Sequence, residues 1–172
     1  AAGWSQKRLA DALPASTRIL RVMPNTPALV GDGMSVFERG DTLEAGERAF
    51  AVKLFSSIGR VAEVESHLMD AVTAVSGSGP AYVYLFIEAL ADGGVREGLP
   101  RAQAYELAAQ TVLGSAKMVL ETGLHPGKLK DNVCSPGGTT IEAVAALEEH
   151  GLRAAVLAGV KACADKSRAM SK

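Results

Sequence analysis

The sequence predicts an α/β segment over residues 1–65, followed by an all-α segment over residues 66–172. Three short runs, 18–22, 34–38 and 60–64, are rich in β-branched residues and bounded by turn residues, as strands are. From residue 66 onward no run predicts a strand, and the apolar residues recur at helical spacing. The first segment is therefore part of an α/β sheet, too small for a complete doubly wound domain, and helices alone follow it.

The elements of the first segment come in the order strand, strand, helix, strand. The strands are "RILRV", "MSVFE" and "RVAEV", and residues 44–58 form the predicted helix, which ends at Gly59. The first strand runs into "MPNTP", and ligands of open α/β sheets lie beyond the carboxyl ends of strands. Asn25 and Thr26 are therefore candidate site-lining residues, with a rigid turn as the alternative.

The second segment reads as a series of helices. Ser66 is predicted to cap a helix through "LMDAVTAV", "SGSGP" interrupts it, and "AYVYLFIEALADGGVREG" continues it. Further helices are predicted over residues 101–122, 139–150 and 152–170. The polar residues of 101–122 form one narrow stripe, and 152–170 is apolar around most of its girth. So many apolar faces favour a partner chain that covers them.

Composition and charge exclude several classes of function. The net charge of −1 gives no basis for binding nucleic acid or an anionic membrane surface. The longest apolar run, residues 81–87, is too short to span a bilayer, and no secretory signal peptide is recognisable. The two cysteines, Cys134 and Cys163, have neither metal-ligand spacing nor a disulfide pattern. A reduced, cytoplasmic setting is expected.

The stretch "CSPGGTT" (134–140) carries the clearest chemical signal. A helix N-terminus presents backbone N–H groups without intrahelical acceptors, and its dipole favours negative charge. Gly137 and Gly138 let a ligand approach the backbone, and Thr139 and Thr140 add hydroxyls, which together suit a carboxylate. The alternative is local structure alone: a capping box from Thr139 to Glu142 after an ordinary Pro-Gly turn. That alternative leaves Gly138 and Thr140 unexplained.

A second glycine-rich stretch, "VSGSGPAY" (75–82), resembles a dinucleotide fingerprint only superficially. It lacks the third glycine, and helix rather than strand precedes it. Gly77 and Gly79 are interpreted as sites of close packing, with Pro80 in a first helical turn. The sequence therefore shows no dinucleotide-binding loop of its own.

Several long motifs resemble the pyrroline-5-carboxylate reductase family, which makes L-proline. They are "HPGKLKDNVCSPGGTTIEAVAALE", "SGSGPAYVYLFIEALADGGVREGLPR", "AAQTVLGSAKM", "MPNTP" and the opening "AAG", in the family's order. The resemblance implies a Rossmann domain followed by a helical dimerisation domain like the C-terminal domain of 6-phosphogluconate dehydrogenase. Residues 1–65 would be the last part of the Rossmann domain, and residues 66–172 the dimerisation and substrate-binding domain. It also implies a homodimer, in some members a ring of dimers, and hydride transfer from NADPH or NADH to the C=N bond of 1-pyrroline-5-carboxylate.

The resemblance also implies roles for particular residues. Thr140 matches the threonine whose hydroxyl meets the ring nitrogen of the substrate. Ser135, Gly138 and Thr139 match the cradle for the substrate carboxylate. Asn132 matches a residue that reaches the cofactor bound by the partner subunit. Ala2 matches a residue that lies beside the cofactor at the end of a sheet strand. Ser66 falls where some members carry an acidic residue near the substrate, and Glu65 is its neighbour.

Family members begin with a strand and a Gly-rich phosphate loop, and this sequence opens with "AAGWSQKRL" instead. We therefore expect a fragment of a longer enzyme, unable to reduce the substrate or bind NADPH well by itself. Two other functions stay open. A β-hydroxyacid-type dehydrogenase would need a lysine base, for which Lys117 on its polar stripe is a poor candidate. A non-catalytic helical dimerisation module would leave the doubled glycines and threonines unexplained.

Overall fold

A computed structural model describes residues 4–170 of the chain. It divides into two compact units. Among the described residues, the sheet unit comprises 4–81 and 157–170, and the helical unit comprises 82–156. This grouping joins the end of the last helix to the sheet, so it differs from the predicted division at residues 65 and 66, which remains a prediction.

The described chain contains three strands and eight α-helices. Strands and helices are mixed up to residue 64, and the elements after that are helical. The strands are β1 (Val22–Met23), β2 (Gly33–Glu38) and β3 (Gly59–Val64). The helices are α1 (Gln6–Ala12), α2 (Ala45–Ser56), α3 (Met69–Val72), α4 (Gly79–Arg96), α5 (Arg101–Thr122), α6 (Pro126–Val133), α7 (Thr139–Glu149) and α8 (Leu152–Met170). Short 3₁₀ turns lie at Thr26–Val30 and Ser66–Leu68, and a π-helical turn lies at Thr73–Gly77.

The three strands form one sheet in the order β1-β2-β3. β1 pairs antiparallel with β2, with Val22 opposite Phe37, and β2 pairs parallel with β3. The central strand β2 is buried along most of its length. Phe37 meets Phe55 of α2 edge to face at 5.4 Å between ring centroids. This packing is the core of the sheet unit.

Helix α2 begins with a reciprocal cap. The side chain of Glu44 accepts from the backbone of Glu47, and the side chain of Glu47 accepts from the backbone N–H of Glu44. Both groups are among those that a helix start leaves without partners. The helix predicted over residues 44–58 is therefore confirmed, with Glu44 as its cap.

Most of the predicted elements are confirmed. The strands at 34–38 and 60–64 and the helices at 101–122, 139–150 and 152–170 appear within a residue or two of their expected ends. The strand predicted at 18–22 is confirmed only at its end, because only Val22–Met23 pairs in the ladder. The residues before it are held differently: the Ile19 N–H donates to Thr42 Oγ1 at 2.7 Å.

Two helices were not predicted. α1 is a short helix capped by the side chain of Ser5, which accepts from the Arg8 N–H. α6 begins at Pro126 and ends at Val133, directly before the stretch 134–140. The predicted cap at Ser66 is also wrong. Ser66 begins a 3₁₀ turn whose N-cap, Glu65, makes no side-chain capping bond.

The helical unit packs through small residues. Ala91 of α4 lies against Ala104 and Ala108 of α5, with Ile87 and Val95 beside them. Alanines at the contact allow the two helices to approach closely. Large apolar side chains on the other faces remain uncovered in the single chain, namely Leu85 (67% exposed), Leu107 (54%), Leu113 (55%) and Leu120 (57%).

Within residues 4–170, no helix combines the length and apolar character that a membrane span requires.

Candidate functional site

The candidate site is the connection between α6 and α7, in the helical unit. α6 begins at Pro126, and its N-cap His125 accepts a hydrogen bond from the Gly127 N–H at Nδ1. At the other end, the Cys134 N–H donates to the Asp131 carbonyl at 3.1 Å. The chain then leaves the helix in an extended conformation at Cys134. These bonds fix where the following turn starts.

The next four residues form a tight turn. The Gly138 N–H donates to the Ser135 carbonyl at 3.1 Å and closes the turn around Pro136 and Gly137. Gly137 has φ +65°, which glycine adopts without a steric penalty. Proline followed by a glycine with positive φ is typical of a type II turn. The predicted Pro-Gly turn is confirmed.

The start of α7 differs from the expectation. Its N-cap is Gly138, with an extended backbone (φ −82°, ψ 171°), and no side chain caps the helix. Thr139 is the first helical residue, so the predicted capping box between Thr139 and Glu142 is wrong. A residue already inside the helix points its side chain away from the N–H groups that a cap would bind. The backbone N–H groups of the first turn of α7 are therefore available to an acceptor from outside the helix.

The Ser135 hydroxyl occupies the space in front of the helix start. A Cβ atom at Gly138 would lie 2.2 Å from Ser135 Oγ and 3.2 Å from the Ser135 carbonyl oxygen. The absence of a side chain at 138 therefore makes room for this hydroxyl. This geometry accounts for a glycine that capping alone did not explain. Backbone N–H groups and a hydroxyl converge on one small region, which suits a carboxylate.

Charge near the turn comes from a neighbouring pair. Lys130 Nζ lies 2.9 Å from Asp131 Oδ1. The hydrogen bond and the charge of Asp131 raise the pKa of Lys130, and Lys130 in turn lowers the pKa of Asp131. The pair is electrically neutral as a whole. The pair therefore adds little net charge near the start of α7, where the helix dipole favours an anion.

The structure brings five of the six predicted site residues into one segment. Asn132 lies in the last helical turn of α6, and Ser135 begins the tight turn that follows. Gly138 is the N-cap of α7, and Thr139 and Thr140 are its first two residues. Thr140 is half-buried, whereas the side chains of Asn132, Ser135 and Thr139 are exposed. Ala2, the sixth, lies outside the described residues.

The other candidates do not join this segment. Asn25 uses its side chain in bonds to the Met34 N–H and the Ser76 carbonyl, so the rigid-turn interpretation holds for it. Glu65 pairs with Arg39 at 3.0 Å. The bridging role of Asn25 was missed. The sequence hinted at this role only through the position of Asn25 between two prolines, Pro24 and Pro27.

The described part of the chain, residues 4–170, contains no cluster of three or more His, Cys, Asp or Glu side chains able to hold a metal ion.

Comparison with known proteins first gives the class. Residues 66–170 match the family model described as "Pyrroline-5-carboxylate reductase dimerisation". The chain therefore belongs to the pyrroline-5-carboxylate reductase family, and the resemblance inferred from its motifs is confirmed.

Similar proteins are known from distant organisms. The chain is 52% identical to the pyrroline-5-carboxylate reductase of Escherichia coli (strain K12), over 100% of this chain and 64% of that protein. It is 53% identical to the Synechocystis enzyme of the same name, over 99% of this chain and 64% of the relative. The chain thus spans about 64% of the length of these curated relatives.

Solved structures agree on the fold. A Plasmodium falciparum pyrroline carboxylate reductase with NADP bound matches at a TM-score of 0.91 and 38% identity, over 99% of this chain and 69% of that one. The Coxiella burnetii enzyme matches at 0.92 and 35% identity, over 99% and 64%. The predicted fold class is confirmed: the last part of a Rossmann domain, followed by a helical dimerisation domain.

Proposed function

We propose that this chain acts, as part of a full-length reductase, in the reduction of 1-pyrroline-5-carboxylate to L-proline, the last step of proline biosynthesis. NADPH or NADH is the hydride donor in this proposal. The names of the curated relatives support the activity, and the NADP in the Plasmodium structure supports the donor class. Residues 66–172 would be the dimerisation and substrate-binding domain.

The uncapped start of α7 is the observation that carries the proposal. A substrate carboxylate placed there would accept from the backbone N–H groups of Thr139 and Thr140 and from the Ser135 hydroxyl. The Gly138 N–H is already used by the Ser135 carbonyl. Hydrogen bonds to a charged group contribute about 1.5–3 kcal/mol each. The helix dipole adds about 0.3–1 kcal/mol.

The role proposed for Thr140 concerns the ring nitrogen. With the carboxylate fixed at the helix start, the Thr140 hydroxyl would meet the nitrogen and hold it as it changes from imine to amine. Hydride adds to the carbon of the C=N bond, and the nitrogen carries the proton with which the protonated imine arrives. Orientation and a positioned hydrogen bond are then the main contributions of this chain.

Residues 4–170 offer only a small part of a dinucleotide site. No strand in this range is followed by a G-x-G-x-x-G turn. Asn132, whose amide can both donate and accept, is the described residue proposed to contact the cofactor. Bound nicotinamide would supply the hydride. The steps above depend only on how this chain holds the substrate.

The homodimer is part of the same proposal, with rings of dimers as a further level of assembly. The name of the family model supports a dimer, and so do the uncovered leucines of α4 and α5. An obligate interface of this kind commonly buries about 2,000 Å² or more.

The two alternative functions find less support. Lys117 is the lysine that was considered as the base of a β-hydroxyacid dehydrogenase. That residue is 67% exposed and lies 3.6 Å from Glu121 on the same helix. A purely structural module gives no reason for the Ser135–Gly138 geometry.

The test uses the full-length protein. We expect NADPH or NADH oxidation that depends on 1-pyrroline-5-carboxylate and saturates with it. L-Proline, the product, should bind by calorimetry, and acetate should compete weakly because it carries only the carboxylate. A full-length, folded protein with no saturable turnover would refute the proposed function.

A further inference from the structure

A π-helical turn interrupts the path from α3 to α4. Thr73–Gly77 forms the turn, and the Ser78 N–H donates to the Thr73 carbonyl five residues earlier at 2.8 Å. Turns of this kind are rare and occur mostly as single insertions in α-helices, frequently at functional positions. One inserted residue rotates the next helical segment by about 100° relative to a continuous α-helix.

Pro80 explains why this turn leaves a carbonyl without a partner. In an α-helix the Ser76 carbonyl would accept from the N–H of residue 80, four positions on. Proline has no backbone N–H. The next N–H along the chain, that of Ala81, donates to the Ser78 carbonyl at 3.0 Å instead. The Ser76 carbonyl therefore needs a donor from elsewhere, since an unpaired polar group in a half-buried position is unfavourable.

Asn25, just beyond β1, provides that donor. Its Nδ2 lies 3.2 Å from the Ser76 carbonyl oxygen, and its Oδ1 accepts from the Met34 N–H at 2.8 Å. A carbonyl only accepts and a backbone N–H only donates, so the two partners fix the orientation of the amide. The carboxamide thus joins the start of β2 to the π turn.

A second residue near the π turn is Met23, the last residue of β1. A Cβ atom at Gly77 would lie 3.4 Å from Met23 Sδ, at ordinary packing distance. The Met23 side chain, at the end of β1, therefore lies next to Gly77 of the π turn, beside the Asn25 hydrogen bond.

The far side of the turn faces the last helix. Cys163 of α8 donates its thiol to Ser78 Oγ at 3.2 Å, and both side chains are half-buried. Ser78 is the residue that directly follows the turn. Its position therefore depends on the form that the turn takes.

We propose that Asn25 locks the π turn, and that the turn is a conformational joint of the sheet unit. With the Asn25–Ser76 bond in place, Ser78 is held against Cys163. Without it, the turn opens so that the Ser76 carbonyl can bond to water, and Ser78 leaves the thiol. The joint is independent of the proposed reductase activity, and its test does not use turnover.

Asn25→Asp is the sharpest perturbation because it is nearly isosteric. It keeps an acceptor for the Met34 N–H and replaces the donor with an oxygen that faces the Ser76 carbonyl. In the full-length protein we expect hydrogen exchange of the Ser78 amide to rise by about tenfold, the effect of one lost hydrogen bond. Exchange along β2 should stay at the wild-type rate.

Two further measurements separate the lock from general loosening. Ser76→Ala keeps the carbonyl and removes only the 3.5 Å contact of its hydroxyl with Asn25, so it should leave Ser78 exchange unchanged. Alkylation by iodoacetamide, followed by peptide mapping, should become faster at Cys163 in Asn25→Asp. Cys134, in the helical unit, serves as the internal reference and should not change.

Pro80→Ala supplies the missing N–H and provides a rescue. In that background the Ser76 carbonyl has an α-helical donor, so Asn25→Asp should no longer accelerate exchange at Ser78. Should Asn25→Asp fail to fold alone, folding of the double variant supports the lock and its failure overturns it. Unchanged Ser78 exchange and Cys163 alkylation in a folded Asn25→Asp protein would also overturn the proposal, as would equal acceleration in both backgrounds.

Discussion

Replacement of Gly138 by alanine separates the binding role proposed for the α6–α7 turn from its role in folding. The backbone at Gly138 (φ −82°, ψ 171°) is one that alanine adopts freely. The added methyl, however, would lie 2.2 Å from Ser135 Oγ. That hydroxyl must rotate away, because the backbone on both sides is fixed by the turn.

The expected effects on stability and on binding differ in size. Alanine is a poorer N-cap than glycine by roughly 0.5–1 kcal/mol, and the stiffer unfolded chain returns about 0.4–1 kcal/mol. The free energy of unfolding should therefore change by less than about 1 kcal/mol. Loss of the Ser135 hydrogen bond to a carboxylate removes about 1.5–3 kcal/mol. Affinity should fall by about 10- to 150-fold.

Gly137→Ala is the matched control. A Cβ atom at Gly137 meets no atom within 4 Å, but φ is +65°. An L-residue in this conformation costs about 1–2 kcal/mol. This variant should therefore lose stability and keep the Ser135 hydroxyl in place. Gly138→Ala should therefore lose affinity and keep stability, whereas Gly137→Ala should lose stability and keep affinity.

The assay combines three measurements on the full-length protein: KM for 1-pyrroline-5-carboxylate, L-proline affinity by calorimetry, and the urea midpoint. Wild-type KM and L-proline affinity in Gly138→Ala would show that the Ser135 hydroxyl does not hold the carboxylate. A large loss of stability in that variant, with affinity retained, would show that Gly138 serves the fold alone.

Three other predictions concern the same protein. Thr140→Ala should slow turnover by about tenfold to a thousandfold. Thr139→Ala, which loses no capping bond, should change the free energy of unfolding by less than about 0.5 kcal/mol; equal turnover in Thr140→Ala and the parent would contradict the proposed role. Leu85→Asp, at a side chain 67% exposed in the single chain, should shift sedimentation from dimer to monomer. A hydrogen bond from Lys161 lowers the pKa of Asp165 in the folded state. The ionised carboxyl therefore stabilises the folded state above the pKa that Asp165 has in the unfolded chain. This contribution is lost as the pH falls through the folded-state pKa. Asp165→Asn should flatten the acid side of the stability profile in urea titrations below about pH 5.

The sequence was most informative where local rules decide the structure. α5 was placed at its observed ends because its polar residues recur on one stripe at helical spacing, and the structure shows Gly123, with φ +66°, directly after it. The loop before α7 was singled out because two glycines exceed what a helix start requires. These signals act over a few residues and need no knowledge of distant contacts.

Other features depend on distant contacts and were missed for that reason. The strand predicted at 18–22 has suitable residues, but Ile19 is bound by Thr42 rather than by a ladder partner. The Asn25–Ser76 bond spans 51 residues, and no periodicity reports it.

The α6–α7 turn is closed by a bond between residues only three apart, Ser135 and Gly138. Contacts of such short sequence separation form early, because little loop-closure entropy opposes them. The segment proposed to hold a carboxylate therefore belongs to the part of the chain that can take shape before the sheet pairs. During synthesis and refolding, substrate or product that binds there would favour this local structure by mass action. A small metabolite would then act as a folding ligand for its own enzyme.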